Sequence, residues 1–135
     1  FTAVARERGV RISCEVAEEA VIRADARYMG QLVGNLVSNA LKFTPEGGEV
    51  RLAAEVHGDR VILTFADSGP GIDAEHRARI FDRFYRVQEG KDRREGAGLG
   101  LAIVAWVAKA HGADLDVESE QGKGTTFRVS LPLFR

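Results

Sequence analysis

Glycine is unevenly spread along this chain. Gly69 and Gly71, then Gly96, Gly98 and Gly100, then Gly122 and Gly124 form three clusters. Glycine reaches 15 of 135 residues, about 11% against an ordinary ~7%. Such clusters make turns. At the ends of regular elements they also suit a backbone that must come close to a ligand, because a residue without Cβ leaves room for it. The three clusters therefore divide the chain into the elements between them.

Those elements alternate between two periods. Val10, Ile12, Cys14 and Val16 alternate with Arg11, Ser13 and Glu15, the pattern of a strand with one buried face, and the short run Ala20–Ala24 is expected to pair with it. Met29, Leu32, Val33, Leu36, Val37 and Ala40 recur at spacings of three and four, which predicts an amphipathic helix from Ala26 that ends before Pro45. Val50–Val56 and Val61–Asp67 alternate on either side of His57-Gly58-Asp59, a hairpin. Asp73 can cap a short helix from Ala74 toward Phe84, and Val87–Glu95 is polar and without period, a loop. Leu99–His111 is an apolar helix with Gly112 as its stop, and strands at Leu115–Ser119 and Thr125–Leu131 end at Pro132. The product is an α+β two-layer sandwich, a mixed sheet of about five strands covered on one face by three helices. A chain of 135 residues makes one domain and buries roughly two-thirds of its extended surface, so no metal or disulfide staple is required.

Composition narrows the function classes. A net charge of −1 gives no field for steering toward nucleic acid or an anionic membrane, so an anion must be held by a local site. Cys14 is the only cysteine; it excludes an internal disulfide, suggests a reducing compartment, and reads as a core residue together with Met29 and Trp106. Leu99–Ala108 is too short to span a membrane and is interrupted by Gly100. The first residues read as an internal cut through a longer protein rather than a signal peptide.

Three sets of residues can carry chemistry. On the first long helix Asn35, Asn39 and Lys42 lie within about 60° of one another and about 130° from the apolar face. A solvated helix face is the ordinary account. Two amide oxygens and an ammonium on one line also suit a Mg²⁺ and the phosphates it bridges. Asp67 shares parity with Val61, Leu63 and Phe65 and should face the apolar layer, either as a turn-forming residue or as a carboxylate that accepts from the amine of adenine. Thr125 shares parity with Phe127, Val129 and Leu131 and places a hydroxyl on the same face. Gly96-Ala97-Gly98-Leu99-Gly100 opens a helix whose free amides can bind phosphate. The sequence contains no G-x-x-x-x-G-K-[ST] and no G-x-G-x-x-G after a strand, which disfavours a P-loop and a dinucleotide fold.

Together these residues resemble a known family. Asn35-Leu36-Val37-Ser38-Asn39-Ala40-Leu41-Lys42-Phe43, Asp67-Ser68-Gly69-Pro70-Gly71-Ile72, Ile80-Phe81-Asp82-Arg83-Phe84-Tyr85-Arg86, Gly96-Ala97-Gly98-Leu99-Gly100-Leu101 and Gly122-Lys123-Gly124-Thr125 look like the successive boxes of a sensor histidine kinase. The resemblance runs from Val10 to Leu133. It implies the catalytic ATP-binding domain over residues 1–135, with the Bergerat-type sandwich shared with gyrase and chaperone ATPases, residues 1–9 as the tail of a preceding linker and 87–97 as the ATP lid. By the same resemblance Asn39 ligates Mg²⁺ with Asn35 beside it, Lys42 contacts phosphate and Arg86 reaches the γ-phosphate. Asp67 specifies adenine, Gly69 and Gly71 shape the base pocket, and Gly98 and Gly100 admit the phosphates. Phe43, Ile72, Tyr85, Leu99, Leu101 and Thr125 complete the nucleotide contacts, and the cluster Phe81, Phe84 and Tyr85 is expected to pack the lid, with docking of a neighbouring helix as the alternative. Ala105 and Ala113 depart from the basic residue and glycine common there.

None of His57, His76 and His111 stands in an H-E-x-x-x-P context. Each reads as an ordinary surface residue, and the resemblance places the phosphoacceptor in a dimeric helical domain of the same parent protein. The implied partners are ATP, that histidine-containing dimerisation domain and a response regulator receiver domain, with no nucleic acid and no direct membrane contact. The implied location is cytoplasmic, whether or not the parent is membrane-anchored. Two rivals remain: an ATPase of the gyrase or chaperone type, which needs a Glu base where this chain has Asn35, and a non-catalytic nucleotide-binding module.

Overall fold

The computed structural model describes residues 2–18, 20, 22–71, 100–120 and 122–134. In chain order its elements are α1 (Thr2–Arg8), β1 (Arg11–Val16), α2 (Ala26–Phe43), β2 (Glu49–His57), β3 (Arg60–Asp67), α3 (Gly100–Ala110), β4 (Asp114–Glu120) and β5 (Gly124–Pro132). The strands form a five-stranded sheet in the order β1-β2-β3-β5-β4. β1 runs parallel to β2, and the other pairs are antiparallel. This is the expected α+β sandwich. The helix expected from Ala74 toward Phe84, the loop at 87–95 and His76 lie outside the described residues.

α2 is the longest helix, and its ends are chemically defined. The Asp25 carboxylate accepts from the Arg27 and Tyr28 amides at 2.9 and 3.3 Å, which satisfies two of the donors left open at a helix start. At the other end the buried Thr44 donates both its hydroxyl and its amide to the Ala40 carbonyl, at 2.7 and 3.0 Å. The Arg8 guanidinium of α1 donates to the Lys42 carbonyl at 2.8 Å, a cation at the negative end of the helix. Between these ends Leu32, Leu36, Val37, Ala40 and Leu41 are buried. They meet Val104, Val107 and Ala108 of α3, and beneath them Val50, Phe65, Phe127, Val129 and Leu131 of the sheet, in one core. The inner face of the sheet is built in register: Phe127 pairs with Phe65 on one side and Val117 on the other, and Val129 with Leu63 and Leu115.

α3 stops at Gly112, whose φ of 66° is a left-handed conformation, and the Ala113 amide returns to the Ala108 carbonyl at 2.8 Å. His111 joins the two long helices. Its Nε2 accepts from the Asp25 amide at 3.2 Å, so Nδ1 carries the proton and donates to the Val107 carbonyl at 2.9 Å.

Three expectations are corrected. Residues 20 and 22–24 form no strand; β1 instead pairs with β2 from Arg11↔Glu49 to Val16↔Ala54. Cys14 is exposed, and Val16 is 64% exposed. β1 is an edge strand, and of its three alternating residues only Ile12 packs against the core. Trp106 is 57% exposed rather than core. At 100° per residue it lies roughly opposite Val104, Val107 and Ala108 on α3, and its ring rests edge-on against Tyr28 with centroids 5.4 Å apart. Met29 does pack against the core, partly buried.

Candidate functional site

The polar residues singled out in the sequence gather where several elements end. Asp67 is the last residue of β3. It lies on the inner face in parity with Phe65, and Thr125 of β5 stands directly opposite it. Its Oδ1 accepts from the Gly69 amide at 2.9 Å, the turn-forming bond that a D-S-G sequence allows. Burial raises the carboxyl pKa above its ordinary value, while backbone hydrogen bonds from Gly69 and Thr125 oppose that shift. The result is a half-buried carboxylate held in place by main chain, with acceptor capacity beyond those two bonds.

Glycine is required around this carboxylate for steric reasons. Gly124 opens β5 with a φ of 93°. A Cβ there would collide with the Asp67 carbonyl oxygen and sit 3.3 Å from Ser68 Cα. At Gly69 a Cβ would stand 3.0 Å from both Asp67 Oδ1 and the Phe43 carbonyl oxygen, so the loop after β3 passes tightly between the carboxylate and the last turn of α2. That loop is fastened on both sides. The Ser68 amide bonds the Glu49 carbonyl at 3.0 Å, the Glu49 amide bonds Ser68 Oγ at 2.9 Å, and the Gly122 amide bonds the Pro70 carbonyl at 2.7 Å.

α2 leads away from this corner with its polar stripe. Asn35, Asn39 and Lys42 are half-buried along it, and the Lys42 ammonium lies 5.7 Å from the centre of the Phe43 ring, itself 43% exposed. Gly100, the first residue of α3, sits beside Asn35, where an added Cβ would be 3.5 Å from Asn35 Oδ1. The carboxamide therefore faces a helix N-terminus, where unpaired amides favour an anion. Leu101 packs against the core. Gly71 follows the Pro70 clamp in a left-handed conformation, with φ 82°. Ile72, Tyr85, Arg86, Gly98 and Leu99, with Phe81, Phe84 and residues 87–97, lie outside the described residues.

One site residue is missing from the sequence reading. Ser119 of β4 pairs with Thr125. Its Oγ lies 2.9 Å from Thr125 Oγ1 and donates to the Gly124 carbonyl at 3.1 Å. The available signal was parity, since Leu115, Val117 and Ser119 alternate, so a serine stands on an otherwise apolar face next to the carboxylate rung.

Comparison with known proteins decides the family. Residues 24–135 match the family model described as histidine kinase-, DNA gyrase B-, and HSP90-like ATPase. The chain belongs to this ATPase family. Within it the similarity is to sensor histidine kinases. The chain is 37% identical over 129 residues to the sensor protein SrrB of Staphylococcus aureus, covering 95% of this chain and 22% of that protein. It thus spans about a fifth of the curated relatives it matches. A mycobacterial sensor histidine kinase, MprB, superposes with a TM-score of 0.85 at 32% identity, over 97% of this chain and 89% of that one. Full-length ShkA, solved in complex with AMPPNP, superposes with a TM-score of 0.83 at 38% identity, over 96% of this chain and 27% of that one. The chain is therefore the ATP-binding domain of a histidine kinase. The donors present suit a small hard cation, since the neutral amide oxygens of Asn35 and Asn39 leave most of its coordination to water and phosphate.

Proposed function

We propose that this domain binds Mg-ATP at the corner between β3, β5 and α2 and presents the γ-phosphate to a histidine on a separate dimerisation domain of the same parent protein, from which a response regulator receiver domain is served. The observation that carries the reading is the inward, half-buried Asp67 carboxylate beside the last turn of an asparagine-bearing helix. Asp67 accepts from the amine of adenine, with Thr125 beside it and Gly69 and Gly71 shaping the base pocket. Asn39, with Asn35 beside it, holds Mg²⁺, and Lys42 contacts phosphate. The start of α3 at Gly100 receives the phosphate chain, and Arg86 reaches the γ-phosphate. Bound Mg²⁺ neutralises charge on the phosphates. The other nucleotide contacts are Phe43, Ile72, Tyr85, Gly98, Leu99 and Leu101, with residues 87–97 as the lid.

Transfer of this kind needs positioning and charge neutralisation more than covalent chemistry from the protein. An imidazole nitrogen forms the new N–P bond, the bond from γ-phosphorus to the β–γ bridging oxygen breaks, ADP leaves and the imidazole proton passes to solvent. The chain supplies no general base for water at Asn35, because a neutral amide cannot take a proton, which favours a kinase over a hydrolase. His57 and His111 are placed for other contacts: the former lies 3.7 Å from Glu55 and the latter joins the long helices.

The test is reconstitution with the histidine-bearing dimerisation domain and γ-labelled ATP. Acid-labile phosphohistidine on that domain is the expected result. Released phosphate alone would indicate a gyrase-like ATPase, and neither product would indicate a nucleotide-binding module.

A further inference from the structure

We infer that Ser119 is a positioning residue for base selection: it fixes the Thr125 hydroxyl as a hydrogen-bond acceptor, so that the pocket selects a purine carrying an amine at C6 over one carrying a carbonyl. The inference rests on the adenine-binding reading of the Asp67 corner and adds to it a residue and a reason for discrimination.

Asp67, Thr125 and Ser119 occupy one rung across β3, β5 and β4, and all three lie on the inner face. A backbone carbonyl can only accept, so in the 3.1 Å contact between Ser119 Oγ and the Gly124 carbonyl the serine hydrogen is the donor. A hydroxyl has one hydrogen. In the 2.9 Å contact between Ser119 Oγ and Thr125 Oγ1 the donor must then be Thr125. With its hydrogen committed to Ser119, Thr125 Oγ1 has only lone pairs to offer a ligand. Its neighbour across the strand, the ionised Asp67 carboxylate, is an acceptor as well. Side chains directly opposite in an antiparallel pair have Cβ atoms about 4.5–5.5 Å apart, close enough to meet one edge of a base directly or through a shared water. Two adjacent acceptors match the two hydrogens of an exocyclic amine and repel a carbonyl oxygen. The geometry is sheltered: Thr125 is 6% exposed, and at Gly124, whose carbonyl receives the serine hydrogen, the Asp67 carbonyl leaves no room for a Cβ.

Without Ser119 Oγ, the Thr125 hydroxyl is free to turn. It can then donate to a carbonyl, and the pocket loses its preference. The test is calorimetric titration of the chain with ATP and with inosine triphosphate, which differs at C6. Ser119→Ala is expected to weaken ATP binding by about three- to ten-fold, the range of one net hydrogen bond. Inosine triphosphate binding should stay unchanged or improve, so that the ratio of the two affinities falls by at least as much. Ser119→Thr, which keeps the hydroxyl, should restore the ratio. A merely structural serine would weaken both nucleotides equally, and that result, or an unchanged ratio, overturns the inference while leaving the adenine site standing. If Ser119→Ala loses its cooperative thermal transition, Ser119→Cys, of similar size and a poor hydrogen-bonding partner, gives the same readout. Failure of the unmodified chain to bind ATP at all overturns the site reading and this inference together.

Discussion

Asp67 sits in a place that costs stability and supplies recognition. Burial raises its pKa, so the folded chain takes up a proton at this carboxyl more readily than the unfolded chain does. The contribution of this group to stability is complete below the unfolded pKa and is lost as pH rises through the folded one. Asp67→Asn removes that loss. Its melting temperature relative to the unmodified chain is therefore expected to be more favourable at pH 7 than near pH 4, as scanning calorimetry at the two pH values would show. ATP affinity should follow the charged form and begin to fall on acidification at a pH above that set by an ordinary aspartate pKa of 3.8. Gly124 is constrained in a different way. Gly124→Ala combines a left-handed φ of 93° with a collision against the Asp67 carbonyl. A loss of roughly 2 kcal/mol or more is expected in denaturant melts, together with weakened ATP binding, because the Asp67–Thr125 rung must open to admit the methyl.

At the scale of elements, α2 matters most, since it carries both the core stripe and the asparagine stripe. Asp25→Ala removes its N-terminal cap and should cost about 1 kcal/mol in a urea melt, with ATP affinity little changed because the cap lies at the end of α2 remote from Lys42. This helix was legible from its 3.6-residue period and from Pro45. The hairpin was equally legible, because the alternation of β2 and β3 is interrupted only at Gly58-Asp59, between the paired His57 and Arg60. The parts that were not legible depend on tertiary neighbours. Ala20–Ala24 has the composition of a strand, but β1 finds its partner in β2. Cys14 and Trp106 are apolar residues whose exposure depends on which side of an edge strand or helix is covered, and a sequence period does not specify that. α1 is a helix of 7 residues, too short to persist on its own hydrogen bonds. Buried Ala5 and the bond from Arg8 to α2 fasten it to the core. At the site, Asp67 and Thr125 could be placed by parity, whereas Ser119 becomes meaningful only once β4 is known to lie beside β5.

For the whole molecule, one consequence of the sheet order is chemical. β1 forms an edge, and Cys14 on it is exposed. The native chain is expected to react with one equivalent of a thiol-specific disulfide reagent without denaturant; reaction only after unfolding would contradict this placement. Among the described residues no helix is long and apolar enough to cross a membrane. The net charge of −1 leaves nucleotide capture to the local corner rather than to a global field. The most direct measurement is therefore titration of ATP with Mg²⁺ into the chain and into its Asp67→Asn variant, with circular dichroism on both. The account predicts one ATP bound per unmodified chain and no detectable binding to a variant with the same spectrum. Equal binding by the two proteins would contradict it.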